Sequence, residues 1–99
     1  MNEIPDYQSI MLPFLKIIQD GKEYVSSEIV KILSDQFQLT DDQREELLPS
    51  GNQAIINNRV GWAKFYLERA GLVTTVKRGV YQISPEGLQI IQSTPPPLH

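Results

Sequence analysis

Asn57-Asn58-Arg59-Val60-Gly61-Trp62-Ala63-Lys64-Phe65-Tyr66-Leu67-Glu68-Arg69-Ala70-Gly71-Leu72 is the stretch on which the fold turns. Ile56, Val60, Ala63, Leu67 and Ala70 recur at helical spacing and define one apolar stripe. Gly71 follows Arg69-Ala70 as the usual C-terminal stop, since a residue without Cβ takes the left-handed conformation cheaply. The pattern predicts a helix over 57–70. At about 100° per residue, Asn58, Gly61, Lys64, Phe65 and Glu68 point the other way. That outward face carries a glycine and a phenylalanine where a plain surface helix carries Glu and Lys.

Beyond the helix, Leu72-Val73-Thr74-Thr75-Val76 is a β-branched run and Lys77-Arg78-Gly79 a turn. Val80-Tyr81-Gln82-Ile83 then alternates apolar and polar residues, which predicts a β-hairpin with a basic tip. Ser84-Pro85-Glu86-Gly87 opens a last short helix, with Ser as cap and Pro in its first position. Leu88, Ile90 and Ile91 supply its apolar contacts. Helix, hairpin and short helix, in that order, form the C-terminal half of a winged helix.

The N-terminal half supplies the remaining helices. Residues 1–4 are expected to fray. Pro5-Asp6 starts a helix whose apolar face is Tyr7, Ile10, Met11, Phe14, Leu15 and Ile18, with Pro13 inside it as a kink or a second start. Lys22-Glu23-Tyr24-Val25 reads as a short strand joining the hairpin edge. Ser26 caps a second helix, with Ile29, Ile32, Leu33 and Phe37 inward, running to about Gln38. Thr40-Asp41-Asp42-Gln43 is a capping box opening a short acidic helix that ends near Leu48. Pro49-Ser50-Gly51-Asn52 is a polar loop leading to the central helix. At the other end, 93–99 reads as a Pro-rich linker or the end of an excised piece of something longer. The expected class is α+β, a winged helix-turn-helix that is mostly helical with a small antiparallel wing over residues 5–92.

Composition narrows the function classes. The chain of 99 residues is one domain's worth, and without cysteine it has no disulfide or thiolate metal site. No basic n-region precedes an apolar run at the N-terminus, and no run approaches the roughly 18 residues of a membrane span. A cytoplasmic protein is the expectation. The net charge of −3 argues against a nucleic-acid partner, but its distribution argues for one. Residues 1–53 sum to −6, with four cations against ten acids. Residues 54–84 sum to +4, with Arg59, Lys64, Arg69, Lys77 and Arg78 against Glu68 alone. The central helix and hairpin are the basic pole of an acidic molecule, and such a local field steers a polyanion.

Enzymatic readings fail on inventory. The only histidine is the last residue, and no Gly-rich phosphate loop follows a strand. Asp41-Asp42 and Glu45-Glu46 lie on one short surface helix with no partner ligand, so neither a metal nor a cofactor is expected. Pro5-Asp6 resembles the opening of a nuclease signature, but no Glu-x-Lys follows it.

The chain resembles the N-terminal domain of Mrr-type restriction endonucleases. The resemblance rests on Pro5-Asp6-Tyr7-Gln8 with Met11-Leu12-Pro13, and on Leu47-Leu48-Pro49-Ser50-Gly51. It continues in Asn58-Arg59-Val60-Gly61-Trp62-Ala63-Lys64 with Tyr66-Leu67 and Ala70-Gly71-Leu72, then in Arg78-Gly79-Val80-Tyr81 with Ile83-Ser84 and Gly87. It implies a non-catalytic module that binds double-stranded DNA, typically methylated, linked in the parent protein to a C-terminal PD-D/E-x-K nuclease. Asn52 stands where the family pattern leads one to expect a basic residue, which weakens a phosphate contact there.

A winged helix lays its third core helix in the major groove and its wing on the backbone. In that pose Asn58 pairs with an adenine edge and Phe65 touches a thymine or 5-methylcytosine methyl. Gly61 lets the helix lie close, and Lys64 meets a phosphate. Lys77 and Arg78 take the backbone or minor groove, while Asn52, Gln53 and Asn57 sit at the helix entry. Each has a plainer role. Asn58 caps the helix, Phe65 packs under the wing or on a partner, and Trp62 fills the core boundary. Arg59 and Arg69 pair with acids of the N-terminal half, and the basic tip is merely solvated. The rival for the whole face is a protein-interaction or homodimer surface built on Trp62 and Phe65. A free-standing transcriptional regulator is a third reading.

Overall fold

The computed structural model describes residues 3–93 of the chain. Five helices and a small sheet follow in the order α1 (Tyr7–Ile17), β1 (Tyr24–Val25), α2 (Ser26–Gln36), α3 (Asp41–Glu45), α4 (Ile55–Arg69), β2 (Val73–Lys77), β3 (Val80–Ile83) and α5 (Pro85–Ser93). The sheet is antiparallel, with β3 between β1 and β2. Helices α1, α2 and α4 pack on one another, and the β2–β3 hairpin projects as the wing. This is an α+β winged helix.

Its core is drawn from the apolar stripes read from helical spacing, although Ile32, expected inward, is half-buried and not part of it. Ile10, Phe14, Leu15 and Ile18 meet Ile29 and Leu33 of α2 and Ile56, Val60, Ala63 and Leu67 of α4. Val73 and Ile83 close it from the sheet, and Leu39 from the α2–α3 link. Each such Val, Leu, Ile or Phe side chain contributes about 1.5–3 kcal/mol when fully buried. Ile4, within the stretch expected to fray, also packs on this core. Residues 94–99, most of the expected linker, lie outside the described residues.

The helix starts follow the caps. The Asp6 carboxylate accepts from the Ser9 N–H at 2.8 Å, and α1 runs through Pro13 as one element. Thr40 and Gln43 exchange hydrogen bonds of 3.1 and 2.9 Å in a capping box. The Ser84 hydroxyl accepts from the Gly87 N–H at 3.0 Å and donates to the Gly71 carbonyl at 2.6 Å. Helix α2 differs from expectation: Val25, not Ser26, is its N-cap. Glu28 reaches back to accept from the Val25 N–H at 3.2 Å, which makes the side-chain cap of Ser26 unnecessary.

The ends are less regular. Helix α4 closes in a Schellman motif at Gly71, with Gly71 N–H to Glu68 O at 3.0 Å and Leu72 N–H to Leu67 O at 2.9 Å. Helix α2 uses the same device two residues before its expected end, with Gln38 in the left-handed position at φ 56°. Helix α3 stops at Glu45, not near Leu48, because Leu47 forms a β-bridge with Ala54 that pulls the chain back toward α4. The first strand shrinks to Tyr24–Val25, and β2 is shifted one residue onward, with a bulge between Thr75 and Lys77. Ala70 is exposed beyond the helix end, and Ile90 is 44% exposed while Leu88 and Ile91 face the core.

The wing is tied to the helices at its base. The Ser26 N–H donates to the Gly79 carbonyl at 2.8 Å, and the Gln82 side-chain amide donates to the Gly21 carbonyl at 2.7 Å. Helix α5 packs where Gly87 meets the start of β2, and a Cβ there would stand 2.2 Å from the Leu72 carbonyl oxygen. Backbone cannot yield as a side-chain tip can, so Gly87→Ala is expected to cost about 1–3 kcal/mol, read as a lower denaturation midpoint with an unchanged m-value.

Candidate nucleic-acid interface

Helix α4 buries Ile56, Val60, Ala63 and Leu67 and turns the opposite face outward. Gln53, Asn58, Gly61, Trp62, Lys64 and Phe65 line a shallow groove of about 380 Å³ on that face. Five of these were expected at the site from sequence; Trp62 is the addition. Asn52 and Asn57 are exposed but do not line it, and Lys77 and Arg78 are exposed at the wing turn.

Asn58 is not a cap. The N-cap of α4 is Ala54, and the Asn58 side-chain amide instead donates to the Gln53 carboxamide oxygen at 3.3 Å. A carboxamide offers two donors and an acceptor with two lone pairs, of which Gln53 takes one. The pair fixes the entry loop to the first turn of the helix. Gly61 is exposed, and a Cβ added to it would meet nothing within 4 Å. Packing therefore does not require glycine at this position.

Trp62, expected at the core boundary, is 46% exposed. Its position on the helix wheel places it beside Phe65 and Tyr66 rather than over the buried stripe. Trp62 and Phe65 meet edge to face at 5.6 Å, and Phe65 and Tyr66 at 5.3 Å. Phe65 lies outside the buried core: it is 38% exposed, with the Arg69 guanidinium 5.6 Å from its ring centroid. Arg69 thus stacks on an aromatic ring. Arg59 donates to the Pro5 carbonyl at 3.5 Å and acts on the Asp6 carboxylate through its charge.

Lys64 is less available than expected. Its ammonium lies 3.2 Å from Glu68 and 5.3 Å from the Tyr81 ring centroid. Glu68 in turn accepts from the Thr75 hydroxyl, which links α4 to the wing. The i,i+4 spacing of Lys64 and Glu68 is visible in sequence. The Thr75 and Tyr81 partners are not, since they depend on how the wing folds back. The Thr75 hydroxyl first, and the Lys64 ammonium after it, hold the Glu68 carboxyl below its usual value against a partial opposing effect of burial.

The Mrr N-terminal domain model matches residues 7–93. The chain belongs to that family. It is 31% identical over 96 residues to the type IV methyl-directed restriction enzyme EcoKMrr of Escherichia coli (strain K12). The match covers 96% of this chain and 31% of that enzyme's length. No solved structure gives a significant match. No helix among the described residues is long and apolar enough to cross a membrane.

Gly61→Ala is expected to raise stability by about 0.5–1 kcal/mol in urea unfolding, since alanine fits the open space and favours helix. The lowered Glu68 pKa means its contribution is complete above the ordinary carboxylate value and is lost as pH falls through the folded value. Across about pH 6 to 3, the wild type is therefore expected to lose more melting temperature than Glu68→Gln.

Proposed function

We propose that this chain is the DNA-recognition module of an Mrr-like restriction system, non-catalytic by itself, with α4 in the major groove and the wing turn on the backbone. The observation that carries this reading is the outward face of α4. A glycine without a packing role, an amide pair and an exposed aromatic lie together there beside a basic wing. Gly61 lets the helix backbone approach the base edges. Asn58 and Gln53 present donors and acceptors to them, and Phe65 offers an apolar surface to a base methyl. Lys77 and Arg78 contact phosphate, with Asn52 and Asn57 at the helix entry. Lys64 reaches phosphate by leaving Glu68.

This reading draws on the match to the Mrr N-terminal domain family and on the E. coli relative, whose name calls it a methyl-directed restriction enzyme. We therefore extend the reading to methylated duplex DNA, to a nuclease domain elsewhere in the parent chain, and to a cytoplasmic setting. The domain proper is residues 5–92. The rival reading, a protein-interaction or homodimer surface, draws on the exposure of Trp62 and Phe65. The Arg69 guanidinium over Phe65 and the basic wing favour DNA over an apolar partner.

Chemical-shift mapping with methylated and unmethylated duplexes is expected to move residues 57–69 and 77–79, fading as salt rises. Absence of shifts at low salt, or shifts that appear without DNA as protein concentration rises, would count for the rival. Lys77→Ala/Arg78→Ala is expected to reduce the slope of log K against log salt by about 1.8, two contacts at about 0.9 each. Gly61→Ala, although stabilising, is expected to weaken duplex binding by about tenfold or more, equivalent to about 1.4 kcal/mol of lost contact.

A further inference from the structure

We infer that a second groove, on the α1 side of α4, is a seat for a single unpaired nucleobase; this rests on the DNA-binding reading above. Tyr7, Asn58, Arg59, Trp62 and Tyr66 line it, and its volume is about 330 Å³. The Tyr7 and Tyr66 rings are stacked, with centroids 5.0 Å apart and planes 22° apart. Trp62 is stacked on Tyr66 from its own position, at 6.1 Å and 29°. Tyr66 is thus stacked with both Tyr7 and Trp62, the three rings border one opening, and Trp62 and Tyr66 remain 46% and 40% exposed.

The polar groups at this groove match a nucleotide. Asn58 supplies a carboxamide and Arg59 a guanidinium, which a hydrogen bond of 3.5 Å to the Pro5 carbonyl ties to the start of α1. The negative group at the same corner, Asp6, is engaged with the Ser9 N–H at 2.8 Å. Every base has a π-face, so aromatic platforms hold unpaired bases without regard to sequence. An apolar partner helix fits less well, because it would bury Arg59 and Asn58 against hydrocarbon.

The connection between the two grooves says how a base would arrive. Asn58 and Trp62 line both, so Trp62 is the ridge between the face of α4 that meets the duplex and the aromatic seat beside it. A base that leaves the stack opposite α4 passes around this one side chain. Extruding a paired base costs energy that an already unpaired base does not. The seat therefore favours duplexes containing a bulged or mismatched nucleotide.

Trp62 is the only tryptophan in the chain, so its emission reports on this ridge alone. The experiment titrates the domain with a plain duplex, with the same duplex carrying one bulged nucleotide, and with a short single strand. Tryptophan fluorescence and anisotropy of labelled DNA are followed together. The bulged duplex is expected to bind at least about fivefold tighter than the plain one, the low end of one base–aromatic stack, and to quench Trp62 more strongly. Tyr7→Leu is expected to abolish that excess while plain-duplex binding stays within about twofold. Its melting temperature checks that it folds, and the wild-type comparison stands without it. Equal affinity and equal quenching for plain and bulged duplexes would overturn the seat while leaving the DNA-binding reading intact. Binding to none of the three at low salt would overturn both. A Trp62 emission change that follows protein concentration without DNA would assign the surface to self-association and overturn the seat.

Discussion

The structure depends on the burial of one stripe of α4. Ile56, Val60, Ala63 and Leu67 are each at most 2% exposed, packed against α1 and α2. That contact fixes the rotation of the helix about its own axis, because turning it by one residue would expose the stripe and bury a carboxamide and a glycine in its place. Everything proposed for the outward face follows from this rotation. Ala63, the smallest side chain of the stripe, is buried in the same core as Phe14. A 3.6-residue repeat therefore decides which side chains are held in the core and which are presented.

Much of this was readable from the sequence because it is carried by local rules. Apolar spacing marked the buried stripes, and Asp6, Thr40 with Gln43, Ser84 and Gly71 marked helix ends through short-range hydrogen bonds. Helix ends without such a local signal fall short of the expected residue. Gln38 holds a left-handed position that usually calls for glycine, so nothing in the letters announced the end of α2. The Leu47–Ala54 bridge joins residues across a loop, and propensity says nothing about such a pairing.

The candidate site divides along the same line. The outward residues of one helix were predictable, and Gln53, Asn58, Gly61, Lys64 and Phe65 share a groove. What changes their behaviour comes from elsewhere in the chain. Thr75 and Tyr81 draw Lys64 and Glu68 into a network that helical spacing shows only in part. Trp62 differs from the expectation that a tryptophan beside an apolar stripe is covered, because it packs on Phe65 and Tyr66 of its own helix and stays exposed. Tyr7 reached the surface cluster only through the α1–α4 packing, fifty-nine positions away from Tyr66 in sequence.

The hydrogen bonds at the base of the wing have a consequence of their own. Gly79 is fastened to the first residue of α2, and Gln82 to the turn after α1. Glu68 and Thr75 fasten the other strand to α4. Helix α4 and the wing are therefore held together like the two jaws of a caliper, its opening set within the fold. On the proposed docking, the nucleic acid supplies the compliance. Sequences whose grooves already match that opening fit without work, and stiffer ones must be bent to it. Discrimination then arises at base pairs that no side chain touches.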